Sequence, residues 1–191
     1  MHASTFVASG LLLVAALLTA LISKMKVGGL ARLTGQTARR LALPELTIAC
    51  VLGLAYLMNY AGATATLGLA AAATGAMLPL FGSYLGWLGT FLTGSDTSTN
   101  ALFGPLQMVS ARSAGFNPVL MCAVNTCGGV TGKMISIQNI AVAAAATGMA
   151  ASEEGRLFRF TLKHSAILAG VVGLIALAYA YVVPGWMPVV E

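Results

Sequence analysis

Charge is what this chain most conspicuously lacks. Of its 191 residues, Lys and Arg supply 10 and Asp and Glu only 5, together 8%, where a soluble domain usually carries about a quarter. So few charges cannot cover a water-exposed surface of this size, which argues against a free-standing soluble domain. Cysteine is scarce too: Cys50, Cys122 and Cys127 are odd in number, and none belongs to a C-x-x-C pair. That spacing argues against a disulfide framework and against a zinc site, and reads the three as small buried hydrophobes. Histidine is limited to His2 and His164, outside the polar runs 94–100 and 125–132, so no Ser/His/Asp set for acid–base or nucleophilic catalysis is assembled. The sequence supports neither an enzyme nor a cofactor or metal requirement.

What is there is apolar. The chain is 58% hydrophobic with a mean hydropathy of +0.88. Residues 3–23, 46–95, 97–111, 113–132, 134–152 and 164–190 contain no Asp, Glu, Lys or Arg. A helix needs about 20 residues to cross the hydrocarbon of a bilayer, so several of these stretches qualify and lipid is the expected solvent. Residues 11–22, LLLVAALLTALI, look like the apolar part of a secretion signal. No Lys or Arg precedes them, however, and no small-x-small site follows before Lys24, so a retained helix is the better reading.

The basic residues set the orientation. Residues 24–40, KMKVGGLARLTGQTARR, hold five Lys/Arg and no acid. The net charge of +5 could suggest a nucleic-acid surface, but half the basic residues lie in this one segment between apolar spans. A cytoplasmic loop at 24–43 is the stronger reading, with no nucleic acid as partner. Helix 3–23 then runs inward, and Pro44 and Glu45 open the next helix, 45–62. A second charged loop, 152–164, is also read as cytoplasmic and leads into a final helix at 165–183, stopped by Pro184 and Gly185.

Between those landmarks the helices look broken. After a loosely apolar link at 63–77, residues 78–115 read as a re-entrant hairpin with its tip at the polar run 94–100, GSDTSTN. Residues 118–150 read as a second broken element, interrupted at 125–132, NTCGGVTG; exchanging the roles of the two elements gives the same parity. Irregular backbone at membrane depth survives only where protein or a watery cavity satisfies its N–H and C=O groups. Secondary transporters build substrate sites from such discontinuous helices, with half-helix N-termini facing an anion. The expectation is an all-α integral membrane protein of transmembrane and re-entrant helices, one of two transporter repeats.

Plainer readings stand beside this one. Gly82/Gly86 and Gly128/Gly132 match small-xxx-small packing between helices. GVTGKM is no phosphate loop, because Met134 replaces the required Ser or Thr and Cys127 the leading Gly. Tyr84, Trp87, Tyr179, Tyr181 and Trp186 near segment ends read as interfacial anchors. Asp96 and Lys133 are costly inside a membrane, about 2.5–3.5 kcal/mol each on insertion scales. They could pair with each other and join the broken segments. Alternatively, Lys133 meets the carboxylate of an anionic substrate and Asp96 carries a proton.

WLGTFLTGSDTSTNALFGPLQ, then NTCGGVTGKMISIQNIAVA, then LFRFTLKHS resemble the L-lactate permease family, over residues from about 41 to the last helix. The resemblance implies a multi-pass carrier of the bacterial inner membrane that takes up lactate, and often glycolate, with protons. It also implies a chain of more than about five hundred residues in two related halves, so that this one corresponds to the second half and its partner is the N-terminal half. Under that expectation lactate binds between the tips 94–100 and 125–132. Ser95, Ser98, Thr99, Asn100, Asn125 and Thr126, with backbone N–H groups including those of Gly128 and Gly129, hold its carboxylate and hydroxyl. Lys133 supplies charge, and Asp96 the accompanying proton.

Overall fold

A computed structural model describes residues 2–186; Met1 and the end of the charge-free stretch 164–190 lie outside the described residues. All regular structure among the described residues is helical. The helices are α1 (His2–Ile22), α2 (Val27–Tyr60), α3 (Ala63–Ala72), α4 (Leu78–Thr93), α5 (Asp96–Ala114), α6 (Pro118–Lys133), α7 (Ile137–Thr147) and α8 (Glu154–Tyr181), with short 3-10 turns at Gly75–Met77, Ala151–Glu153 and Pro184–Trp186. The chain is the all-α membrane protein that its composition calls for. Among the described residues α2 and α8 are long and apolar enough to cross a bilayer, and Ala63–Ala72 with Gly75–Thr93 passes the same test as a pair bent by 107°.

The chain divides into two compact units, residues 1–46 and 47–191. The first contains α1 and the start of α2, joined by a short turn in which the N–H of Met25 bonds the Ala20 carbonyl at 3.0 Å. Here the structure corrects the sequence reading. The basic segment 24–43 is not a loop: it is helical from Val27, so the second helix begins eighteen residues before the expected start at Glu45. Positive charge fixes which side of the membrane a segment takes, not its backbone conformation, and this stretch is rich in Leu, Ala and Arg, all strong helix formers. The segment 152–164 departs from expectation in the same way, since α8 starts at Glu154 with that carboxylate at its positive dipole end. The link at 63–77 is also mostly helix. It packs on α5, where a Cβ added to Gly68 would meet the Val109 side chain at 2.8 Å.

In the second unit α4 is the central element, packed on α5, α6 and α8. Its buried residues are nearly all small: Gly82, Ser83, Gly86, Gly89 and Thr90. Without a hydrophobic effect to drive helices together in lipid, association depends on close backbone approach and interhelical hydrogen bonds, and these residues permit both. A Cβ on Gly86 would collide with the Asn125 carbonyl, one on Gly128 with the Ser83 carbonyl and one on Gly132 with the Trp87 carbonyl. The small-xxx-small reading of these glycines is therefore correct, and α4 and α6 run parallel, because their paired positions rise together.

α8 runs antiparallel to α4 and is pinned along its length. Ser83 Oγ donates to the Ala169 carbonyl at 2.7 Å, Tyr84 OH to the Ala166 carbonyl at 3.1 Å, and Trp87 Nε1 to Ser165 Oγ at 2.7 Å. Ser165 Oγ in turn donates to the Thr131 carbonyl of α6, joining three helices at one hydroxyl. Tyr84 and Trp87 thus act inside the helix assembly. The cysteines also differ from expectation: Cys50 and Cys127 are exposed and Cys122 is partly buried. In a lipid-facing protein an apolar side chain gains little from burial, so apolar surroundings in the sequence do not predict a buried position.

Candidate functional site

The first break is a two-residue turn. Gly94 closes α4 with φ of 69°, the left-handed conformation that favours glycine, and its N–H bonds the Thr90 carbonyl at 2.8 Å. Ser95 then caps α5, its Oγ accepting from the Ser98 N–H at 3.3 Å. Only 94–95 of the expected tip is therefore irregular; Asp96 to Asn100 are the opening residues of α5.

The second break lies elsewhere than expected. Residues 125–132 are continuous helix within α6, and the interruption falls at 134–136, between Lys133 and Ile137. The physical reason is the packing of α4. Glycines weaken a helix in water, but at membrane depth the backbone must bond internally, and a helix whose glycines admit a neighbouring backbone is stable. Beyond the break, Asn139 Nδ2 and Ser136 Oγ donate to the Lys133 carbonyl at 2.8 and 3.1 Å, satisfying the end of α6.

Because α4 and α6 are parallel, their breaks adjoin. The Gln138 side chain occupies the space that a Cβ on Gly94 would need. Two helix ends and two new helix starts thus meet at one place.

A buried polar network runs from that place into the helix assembly. Asp96 Oδ1 lies 3.5 Å from Thr90 Oγ1, which also donates to Thr99 Oγ1 at 3.0 Å. Thr93 and Thr99 hydroxyls lie 3.1 Å apart, and Thr99 Oγ1 reaches the Ser95 carbonyl at 3.0 Å. On the other side Asn100 Nδ2 donates to Asp96 Oδ2 at 3.3 Å. Asn100 Oδ1 accepts from Asn125 Nδ2 at 2.8 Å and from Thr126 Oγ1 at 3.1 Å. Gln107 Nε2 closes the chain, donating to Asn125 Oδ1 at 3.4 Å and to the Gly82 carbonyl at 2.8 Å. Thr90, Thr99, Gln107 and Asn125 are all buried.

The sequence-selected residues divide accordingly. Asp96, Thr99, Asn100, Asn125 and Thr126 belong to one network, and Gly129 faces it, since a Cβ there would land on the Asp96 carboxylate. Ser95 is a helix cap, and Ser98 is buried with its backbone N–H on that cap. Gly128 is a packing residue against Ser83, on the α4 side of α6. Lys133 is exposed and forms no ion pair with Asp96, so of the two readings of these charges the salt bridge between the broken segments is not formed. Each charge instead sits where a helix dipole favours it, Asp96 in the first turn of α5 and Lys133 in the last turn of α6.

Thr90, Thr93 and Gln107 were not singled out from the sequence. Gln107 carried a readable signal: it follows Asn100 by seven residues, two helical turns, and so shares its face. Thr90 and Thr93 carried none, for only the fold brings α4 against α5. Among the described residues no group of three His, Cys, Asp or Glu could hold a metal ion. A groove of about 280 Å³ between α6 and α8, lined by Val119, Leu120, Val124, Cys127, Ile175 and Trp186, is apolar and separate from the polar network.

The profile of the L-lactate permease family matches residues 2–183. The chain is 50% identical over 177 residues to the L-lactate permease of Salmonella typhi, covering 93% of this chain and 32% of that relative. It is 54% identical over 152 residues to the glycolate permease of Escherichia coli, covering 80% and 27%. Against the L-lactate permease of Bacillus subtilis it is 49% identical over 176 residues, covering 92% and 31%. The chain thus spans about a third of the length of these relatives. No solved structure matches it.

Proposed function

Because this chain belongs to the L-lactate permease family, we propose that it forms part of a multi-pass carrier in the bacterial inner membrane that moves L-lactate, and 2-hydroxy monocarboxylates such as glycolate, together with protons. The observation that carries this reading is the position of Asp96. It is an ionisable group in a hydrogen-bonded network of Thr90, Thr99, Asn100, Asn125 and Gln107, beside two adjoining helix breaks. Intramembrane carboxylates with polar partners are a common means of moving protons.

In this reading the substrate carboxylate approaches the starts of α5 and α7. There backbone N–H groups without intrahelical partners and the positive dipole ends favour an anion, and Lys133 adds charge. Ser95, Ser98, Thr99, Asn100, Asn125 and Thr126 offer hydroxyl and amide groups for the substrate's own hydroxyl. The proton accompanies the anion on Asp96. The facing walls come from the rest of the carrier, in keeping with relatives about three times as long, and alternating access rocks one repeat against the other.

The test is uptake of labelled L-lactate and glycolate under an imposed proton gradient, in cells lacking their own carriers. The chain is expressed alone, and with the complementary part of a related permease, each with and without Asp96→Asn. Gradient-driven uptake that Asp96→Asn abolishes is the expected result. Uptake indifferent to Asp96→Asn removes the proton role, and no uptake in either format, with both chains confirmed in the membrane, refutes the carrier reading.

A further inference from the structure

The amide chain behind Asp96 has a direction, and one residue sets it. A backbone carbonyl can only accept, so the Gly82 carbonyl obliges the Gln107 side chain to present Nε2 to it at 2.8 Å. The same Nε2 reaches Asn125 Oδ1 at 3.4 Å, which turns the Asn125 Nδ2 toward Asn100 Oδ1 at 2.8 Å. Asn100 must then offer Nδ2 to Asp96 Oδ2, at 3.3 Å. Each amide is fixed by the one behind it, and the series ends with a donor aimed at a carboxylate. Thr126 Oγ1, 3.1 Å from Asn100 Oδ1, reinforces the last orientation without setting the Asn125 one.

Resting on the assignment of Asp96 as the proton-carrying group, we propose that Gln107 is a positioning residue of the transport cycle: it holds Asn125 and Asn100 in the one amide orientation that lets Asp96 release its proton. Gln107 touches neither Asp96 nor the helix breaks; it acts through two intervening amides. Without its donor, Asn125 is free to turn over, and Asn100 can follow and present Oδ1 to Asp96. Two facing acceptors are tolerated only when the carboxyl keeps its proton. No Asp, Glu, Lys, Arg or His lies on α3 or α4 to compensate, α5 adds only Arg112 in its last turn, and α6 adds Lys133.

The consequence separates two activities. Net uptake driven by a proton gradient requires Asp96 to load and release a proton each cycle, whereas exchange of internal for external lactate does not require release. Gln107→Leu, close in volume and without polar atoms, is expected to lower net uptake about tenfold or more, the loss of one hydrogen bond to a charged group, and to leave exchange within about twofold. Asn125→Leu, at a residue that also faces the substrate, should lower net uptake and exchange together, and adding Gln107→Leu to it should bring no further loss of net uptake, since both act on one chain. Gln107→Met serves where Gln107→Leu does not accumulate; it keeps the length of the side chain but has no donor, and the same split is expected.

These measurements use the chain with the complementary part of a related permease. Equal loss of uptake and exchange in the Gln107 variants makes Gln107 structural only and overturns the proposal, as does unchanged uptake. If Asp96→Asn itself leaves net uptake intact, the underlying assignment fails, an outcome distinct from failure of the Gln107 role alone.

Discussion

Gly128 lies against the Ser83 carbonyl so closely that no side chain fits between α6 and α4. With Gly86 on the Asn125 carbonyl and Gly132 on the Trp87 carbonyl, it brings the two backbones into direct contact. The approach holds Asn125 within reach of Gln107, and it brings the ends of both helices to the same level.

Gly128→Ala is therefore expected to destabilise the protein by about 1–3 kcal/mol, because the obstacle is backbone and cannot swing aside. Gly104→Ala is the control. It sits within α5 with no heavy atom within 4 Å of an added Cβ, and should be neutral or stabilising by up to about 1 kcal/mol. Thermal unfolding of the detergent-solubilised chain reads both. Equal shifts in Tm would contradict the packing role of Gly128.

Gly129→Ala separates function from fold. The atoms its Cβ would strike are side-chain ends, Asp96 Oδ1 and Thr90 Oγ1, which can move. The expected result is a smaller loss of stability than for Gly128→Ala, with gradient-driven lactate uptake reduced at least tenfold because the Asp96 carboxylate is displaced. Uptake at the unsubstituted level would detach Asp96 from the site.

Asn100 and Asn125 should prove coupled. Asn100→Ala leaves the buried Asn125 Nδ2 without its acceptor, at about 1–3 kcal/mol, whereas removing both amides spares that penalty. The Asn100→Ala, Asn125→Ala double variant should therefore lose clearly less stability than the two single losses added together. Strict additivity in denaturation would mean that the 2.8 Å hydrogen bond between them contributes nothing.

Ser165→Ala should loosen α8 from both neighbours. It removes the acceptor of Trp87 Nε1 and the donor to the Thr131 carbonyl. An expected loss of about 1–2 kcal/mol should come with altered Trp87 fluorescence, measured with Trp186→Phe in the background. An unchanged emission spectrum would show that the indole N–H does not depend on Ser165.

The sequence by itself determined the solvent and the inventory. Fifteen charges in 191 residues demand lipid, and the six-residue polar run Ser95 to Asn100, Asp96 with five small hydrogen-bonding residues, is the segment such a chain offers as a candidate site. It also held the small-residue spacing that α4 and α6 use. It did not locate the second break, since Gly128 and Gly132 look like helix breakers until a second backbone is seen to need their bare faces. Nor did it mark Thr90, because a threonine alone does not say which helix it will meet. Hydrophobic periodicity reports local conformation and average environment. Which backbones touch, which way an amide points and where a carboxylate finds its donors follow from interhelical distances of a few ångströms, and these are fixed only when α4, α5, α6 and α8 assemble.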